Sequence, residues 1–88
     1  MDGAPPRLVA INPDVYTLHA AAAECAMQDR ERWRLYDGAL DLLCNHRWEW
    51  RDERVIFAPG TPVDGELSRA ATEIYQAAGR LKRGRERG

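Results

Sequence analysis

The chain is poor in lysine, serine and cysteine. Lys82 is its only lysine, Ser68 its only serine, and Cys25 and Cys44 its only cysteines. Two thiols are too few for the disulfide framework that staples small secreted domains, so reduced thiols and a self-sufficient core are expected. The lone serine has no nucleophile-elbow sequence around it. No glycine-rich loop follows a strand, so a phosphate cradle is missing. No apolar run approaches the ~20 residues that a membrane-spanning helix needs. The opening MDGAPPRLVA lacks the basic start and long apolar stretch of a signal peptide. These absences lead us to expect a cytoplasmic protein with no membrane partner. An excess of charge of one sign is also missing: the formal net charge is -1. That balance argues against a strongly basic nucleic-acid binder and a polybasic membrane module.

What is present is a folding composition. Of the 88 residues, 44% are hydrophobic and 31% charged, which suits one small globular domain over residues 1–88. A domain of this size buries roughly 60–65% of its unfolded surface and leaves little room for a deep enclosed pocket. The charge is unevenly placed. The stretch RLKRGRERG, residues 80–88, holds five of the 13 basic residues and one acid. Residues 1–79 hold eight basic and 13 acidic side chains, a net of -5. Body and tail are therefore of opposite sign. Arginine in place of lysine, with abundant alanine, suggests a GC-rich bacterial or phage genome. It also favours bidentate contacts over diffuse charge.

The patterning predicts an α+β fold, mostly helical, in the order α-α-β-β-α. Residues 1–11 read as an extended arm: Pro5 and Pro6 oppose helix, and Leu8, Val9 and Ile11 suit a short strand or strap. Asn12-Pro13-Asp14 reads as a helix start, with Asn12 as cap. Val15, Leu18, Ala22 and Cys25 then share one face. The polar QDRER at 28–32 is either a turn or an exposed stretch of one long helix; two antiparallel helices, about 13–27 and 30–45, are favoured. Trp33, Tyr36, Leu40 and Leu43, widened by Ala39 and Leu42, make the second face. Asp37-Gly38 is a candidate kink. In NHRWEWRDERVIFA, Trp48, Trp50, Val55 and Phe57 alternate as two strands joined through Asp52-Glu53. Asp-Glu is not the tight-hairpin signature, which leaves a two-residue turn and a longer type I loop both open. Thr61-Pro62-Val63-Asp64 resembles a capping box with proline at the first helical position. Leu67, Ala70, Ala71, Ile74, Ala78 and Leu81, with Tyr75, then form the third stripe. That helix is expected to fray near Gly79 or Gly84 and to leave 83–88 as a mobile basic tail.

Chemistry-bearing constellations are sparse. His19, Cys25, Cys44 and His46 include no metal-ligand spacing such as CxxC or HxxxH, so no metal site is expected. Cys44 and His46, two residues apart, point away from each other on a helix and make no nucleophile–base pair. No cofactor motif is present, and the chain is expected not to be an enzyme.

Two binding readings remain. The order helix, helix, two-stranded wing, helix resembles the small winged helix-turn-helix regulators of bacteria and phage in element content. That resemblance implies a DNA-binding regulator, with the second helix in the major groove and Arg51 and Arg54 on phosphate. Arg30, Arg32 and Arg34 at the start of that helix fit this. Asp29, Glu31, Asp37, Asp41, Asp52 and Glu53 would be repelled.

The favoured reading is a non-enzymatic protein-interaction module: an adaptor, an inhibitor or a small subunit of a larger assembly. Its signal is the density of Trp, Tyr and Arg, residue types that anchor protein interfaces. Candidate partner-binding residues are Arg47, Trp50, Arg51 and Arg54 at the hairpin, and Arg80, Lys82, Arg83 and Arg85 at the tail. The alternation of Trp48 and Trp50 favours core over interface for those rings, and Trp33 and Phe57 are expected in the core. Nucleic acid through the tail or hairpin is a further option, as is a homodimer. The acidic body, a net of -5 over residues 1–79, also suits a mimic of nucleic acid that blocks nucleic-acid-handling machinery, with Asp29, Glu31, Asp37 and Asp41 as the acids whose neutralisation would test it.

Overall fold

The computed structural model describes residues 14–87, and the side chains of residues 14–84. The expected arm, with Leu8, Val9 and Ile11, lies outside the described residues, as do Asn12 and Pro13. Three helices and a hairpin follow in the predicted order: α1 (Val15–Gln28), α2 (Trp33–Asn45), β1 (Trp48–Arg51), β2 (Arg54–Phe57) and α3 (Gly65–Arg87). None of the described helices is long and apolar enough to cross a membrane.

The cap of α1 is Asp14, two residues later than the sequence suggested. Its carboxylate accepts the Thr17 N–H at 2.7 Å, satisfying one of the first-turn donors. The polar stretch after α1 is a break and not a long exposed helix. Asp29 leaves the helical region (φ -139, ψ 84), its N–H closing on the Cys25 C=O, and Arg30–Arg32 form one 3-10 turn. With nothing apolar to bury there, the chain gains by turning α2 back along α1. The helix α2 runs through Asp37 and Gly38 without a break. Gly38 instead serves close approach: a Cβ there would lie 3.3 Å from Leu67 Cδ2 on α3. Its helix-interior cost of ~1 kcal/mol is retained for that fit.

The start of α3 is also later than expected. Asp64, not Thr61, is the cap, accepting the Leu67 N–H at 2.9 Å. Pro59 and Gly60 hold the centre of the preceding turn, closed by the Thr61 N–H on the Ala58 C=O at 3.1 Å. The helix then continues through Gly79 and Gly84 to Arg87. Two glycines at ~1 kcal/mol each do not stop a helix whose other residues here are good formers and which meets no proline.

The three helices meet through alanine. Ala21, Ala39, Ala70, Ala71, Ala77 and Ala78 have no exposed surface, nor has Ile74 between them. Leu18, Leu40, Leu42 and Leu43 fill the remaining space. Tyr36 packs in the same core. Two expectations are corrected. Trp33 is 52% exposed and Val15 56%, both outside the core. Trp33 is the first residue of α2 and borders an open groove with Ala22, Ala23 and Ala26 of α1. Its periodicity places it on the right stripe, but at the mouth of that groove, where about half of its surface stays open.

The hairpin has the predicted register: Trp48 opposite Phe57, Glu49 opposite Ile56, Trp50 opposite Val55 and Arg51 opposite Arg54. Trp48, Val55 and Phe57 are buried against the helices. Trp48 closes the end of the core, donating its indole N–H to the Leu43 C=O at 2.9 Å. The turn is the two-residue form, with Asp52 at φ 55 and Glu53 at φ 62. Two successive left-handed residues match the twist of the strands, but the conformation costs a non-glycine residue ~1 kcal/mol. Replacing Glu53 with Gly is expected to raise stability by about 0.5–1 kcal/mol, after allowance for the freer unfolded chain. Urea unfolding checks this as a higher midpoint at unchanged slope.

Candidate functional site

The hairpin lies across α3, and three α3 side chains, Ser68, Thr72 and Tyr75, fasten it. Thr72 Oγ1 accepts the Val55 N–H at 3.1 Å and donates to the Ser68 C=O at 3.0 Å. Tyr75 takes both tryptophans: Trp48 meets it edge-on at 5.7 Å and 84°, and Trp50 stacks on it at 4.3 Å and 12°. Such ring pairs add ~0.5–1.5 kcal/mol beyond their burial. Trp48 is sealed, whereas Trp50 is only half-buried.

Beyond Trp50 the hairpin ends and α3 continues. A shallow groove of about 530 Å³ opens there, lined by Trp50, Tyr75, Gln76, Gly79, Arg80 and Arg83. Residues 76, 79, 80 and 83 are i, i+3, i+4 and i+7, a single face of the helix. A Cβ at Gly79 would lie 3.4 Å from an Arg83 guanidinium nitrogen, so this glycine gives the groove a low floor with Arg83 folded beside it. No acidic residue lines the groove.

The structure thus brings together three of the residues singled out from sequence: Trp50, Arg80 and Arg83. The others stand apart from the groove. Arg47 is exposed at the head of β1. Arg51 pairs with Glu49 at 3.2 Å, and Arg54 is exposed directly opposite it. Lys82 is exposed but does not line the groove. The Arg85 side chain lies outside the described ones. Sequence reasoning missed Tyr75, Gln76 and Gly79 as parts of a site. The i, i+4 run from Tyr75 through Gly79 to Arg83 was the available signal, but Tyr75 read as core and Gly79 as fraying.

A second polar cluster ties α2 to α3. The Tyr36 hydroxyl donates to Glu73 Oε1 at 2.5 Å, and the Arg32 guanidinium reaches Glu73 Oε2 at 3.4 Å and Asp29 at 3.8 Å. Arg32 also covers the Tyr36 ring at 5.2 Å. Burial, the hydrogen bond to Glu73 and its negative charge push the Tyr36 hydroxyl up to about 12. The thiols are raised as well: Cys25 by burial and then by Glu73 and Glu24, Cys44 by burial of its thiol and then by Asp41. Raised thiols are poorer nucleophiles at neutral pH. Of the acids considered for mimicry, Asp29 pairs with Arg32, while Asp37 and Asp41 border an open groove between α1 and α2 beside His19. Glu31 is exposed on the 3-10 turn. Among the described residues, no three His, Cys, Asp or Glu side chains gather as a metal site.

Comparison with known proteins gives no match to a family model, a curated protein or a solved structure.

The Tyr36–Glu73 bond has a pH signature. Folding raises the tyrosine above its ordinary value of 10.0. Between about pH 10 and 12 the folded state keeps a proton that the unfolded state releases, so stability falls as pH rises through that window. Tyr36→Phe should lose about 1 kcal/mol at neutral pH and abolish the tyrosine's part of that fall. Urea unfolding of both proteins at neutral pH and across the alkaline window measures the two effects.

Proposed function

We propose that this chain is a non-enzymatic protein-interaction module, an adaptor, inhibitor or small subunit, that docks a partner on the face formed by Trp50 and the C-terminal half of α3. The observation that carries the reading is the groove. It joins a half-buried tryptophan, already held rigid by Tyr75, to two arginines from the next turns of one helix. Rigid aromatics beside arginines are the composition of interface hot spots, because they offer large area at little entropic cost. Arg51 and Arg54 at the hairpin tip, with Lys82 further along α3, supply a charged rim. A bacterial or phage protein acting on nucleic-acid-handling machinery remains the setting favoured by composition.

The winged-helix alternative fits less well. It would turn the exposed side of α2 toward phosphate, and that side carries Asp37 and Asp41. Like charge at close range opposes such docking.

Affinity capture with the full chain tests the reading. A partner protein should be retained by the wild type and by Asp37→Asn/Asp41→Asn. Arg80→Glu/Arg83→Glu should reduce its recovery by about tenfold or more, the equivalent of ~1.4 kcal/mol. All the substituted residues are exposed, so the fold should be kept. Equal recovery by Arg80→Glu/Arg83→Glu, or loss confined to the aspartate variant, would sink this assignment. So would salt-sensitive binding of mixed-sequence duplex DNA that survives the arginine changes.

A further inference from the structure

We propose that the groove receives an extended acidic segment of the partner protein. Its backbone meets Trp50 at the open edge of β1, and its carboxylates meet Arg80 and Arg83. This rests on the protein-interaction reading and names the chemistry of the partner at the same face.

The two edges of the hairpin are unequal. The Ala58 N–H donates to the Arg47 C=O at 2.9 Å, which sets the ladder's phase. In an antiparallel pair the bonded positions alternate, so Arg47, Glu49 and Arg51 face β2, and the backbone groups of Trp48 and Trp50 face away. On the other strand the outward groups of Val55 are already engaged. Its N–H goes to Thr72, and its C=O lies 3.5 Å from the Ser68 hydroxyl, a donor. The β2 edge is closed by α3 at this level. On β1, Trp48 is 2% exposed and shut in. Trp50 has no backbone partner on its outer side among the described residues, and it borders the groove.

Spacing places an added strand over the groove. The outer edge of β2 rests on Ser68 and Thr72, and the Trp50 ring of β1 rests on Tyr75, one helical turn further. Strands sit ~4.8 Å apart and helical turns advance 5.4 Å, so the two ladders stay nearly in step. The next strand position therefore lies over the next turn, which is Gly79. That is the residue whose missing side chain keeps the floor low, with the Arg83 guanidinium folded beside it.

Charge selects the segment. Arg32 and Arg51 each have an acidic partner. Arg80 and Arg83 have none among the described residues. Two unpaired guanidiniums flanking one strand position suit alternate carboxylates, each able to accept a forked pair of hydrogen bonds. A duplex would have to bring many phosphates beside a body whose first 79 residues carry a net of -5. A short acidic segment meets only the basic groove. Because Trp48 is closed, backbone pairing is confined to Trp50, and side-chain pairing carries most of the affinity.

The test uses the full chain and peptides of about ten residues with Glu alternating with Thr or Val. Heteronuclear NMR should show saturable shifts at Trp50, Gly79 and Arg83, and the Trp50 amide should exchange about tenfold more slowly with peptide bound. Arg80→Glu/Arg83→Glu, or methylation of one alternate set of peptide amides, should each weaken binding by about tenfold. A Lys-for-Glu peptide should not bind. Binding indifferent to amide methylation, with no protection of Trp50, would mean charge attraction without strand pairing and overturn the proposal. Protection of Trp50 in the free chain overturns it too, with light scattering telling a second copy from the chain's own residues. If no peptide binds while partner capture still depends on Arg80 and Arg83, this inference falls and the module reading stands. If capture is also indifferent to those arginines, the reading falls as well.

Discussion

Alanine sets the distance between the helices. Where α1, α2 and α3 run together, the buried small residues are Ala21, Ala22, Ala39, Ala70, Ala71, Ala77 and Ala78, and Gly38 lies close against Leu67 of α3. Short side chains let backbones approach and keep dispersion contacts dense. They also leave little volume for rings: Tyr36 is accommodated between α2 and α3, with its hydroxyl on Glu73. The other rings are then housed at the margins, and where each one goes decides the form of the surface. Trp48 plugs the end of the core under the hairpin, Tyr75 and Trp50 form its lip, and Trp33 is left outside at the α1–α2 turn.

The hairpin depends on that arrangement. A two-stranded sheet is marginal alone, and this one carries a turn with two left-handed non-glycine residues. It is held because α3 offers it a hydroxyl for Val55 and a ring for both tryptophans. The Tyr36–Glu73–Arg32 cluster braces the other side of α3 against α2. With α3 held from both sides, the helix continues beyond the hairpin to Arg87. A groove built on helix and stacked rings presents its arginines at low entropic cost, which is what a docking surface requires.

Much of the fold was legible in the sequence. The three apolar stripes, the hairpin register and the separation of α1 from α2 follow from period and polarity, which are local properties of the chain. Cap positions at Asp14 and Asp64 were misplaced by two or three residues, because several adjacent polar residues could each cap and only the packing chooses among them. Trp33 shows the limit from the other side. Its stripe was right, but burial also depends on how closely the neighbouring helix covers that end of the stripe, and no periodicity encodes that.

The candidate site divides in the same way. Its chemistry was readable: tryptophan and arginine in the hairpin, arginines after residue 79, and a shortage of basic charge elsewhere. Its geometry was not. Eight residues were named, and three of them meet, joined by Tyr75, Gln76 and Gly79 from a helix face that looked like core and a fraying end. Trp50 and Arg83 are 33 positions apart in the chain, and local patterning has no term for such pairs. The sequence by itself determined the elements, their order and the kind of side chain available for binding. The tertiary structure alone decided which side chains share a surface. The reason is physical: periodicity reports which face of an element is apolar, whereas the crossing of the hairpin over α3 is set by alanine-to-alanine packing and by where the rings can fit.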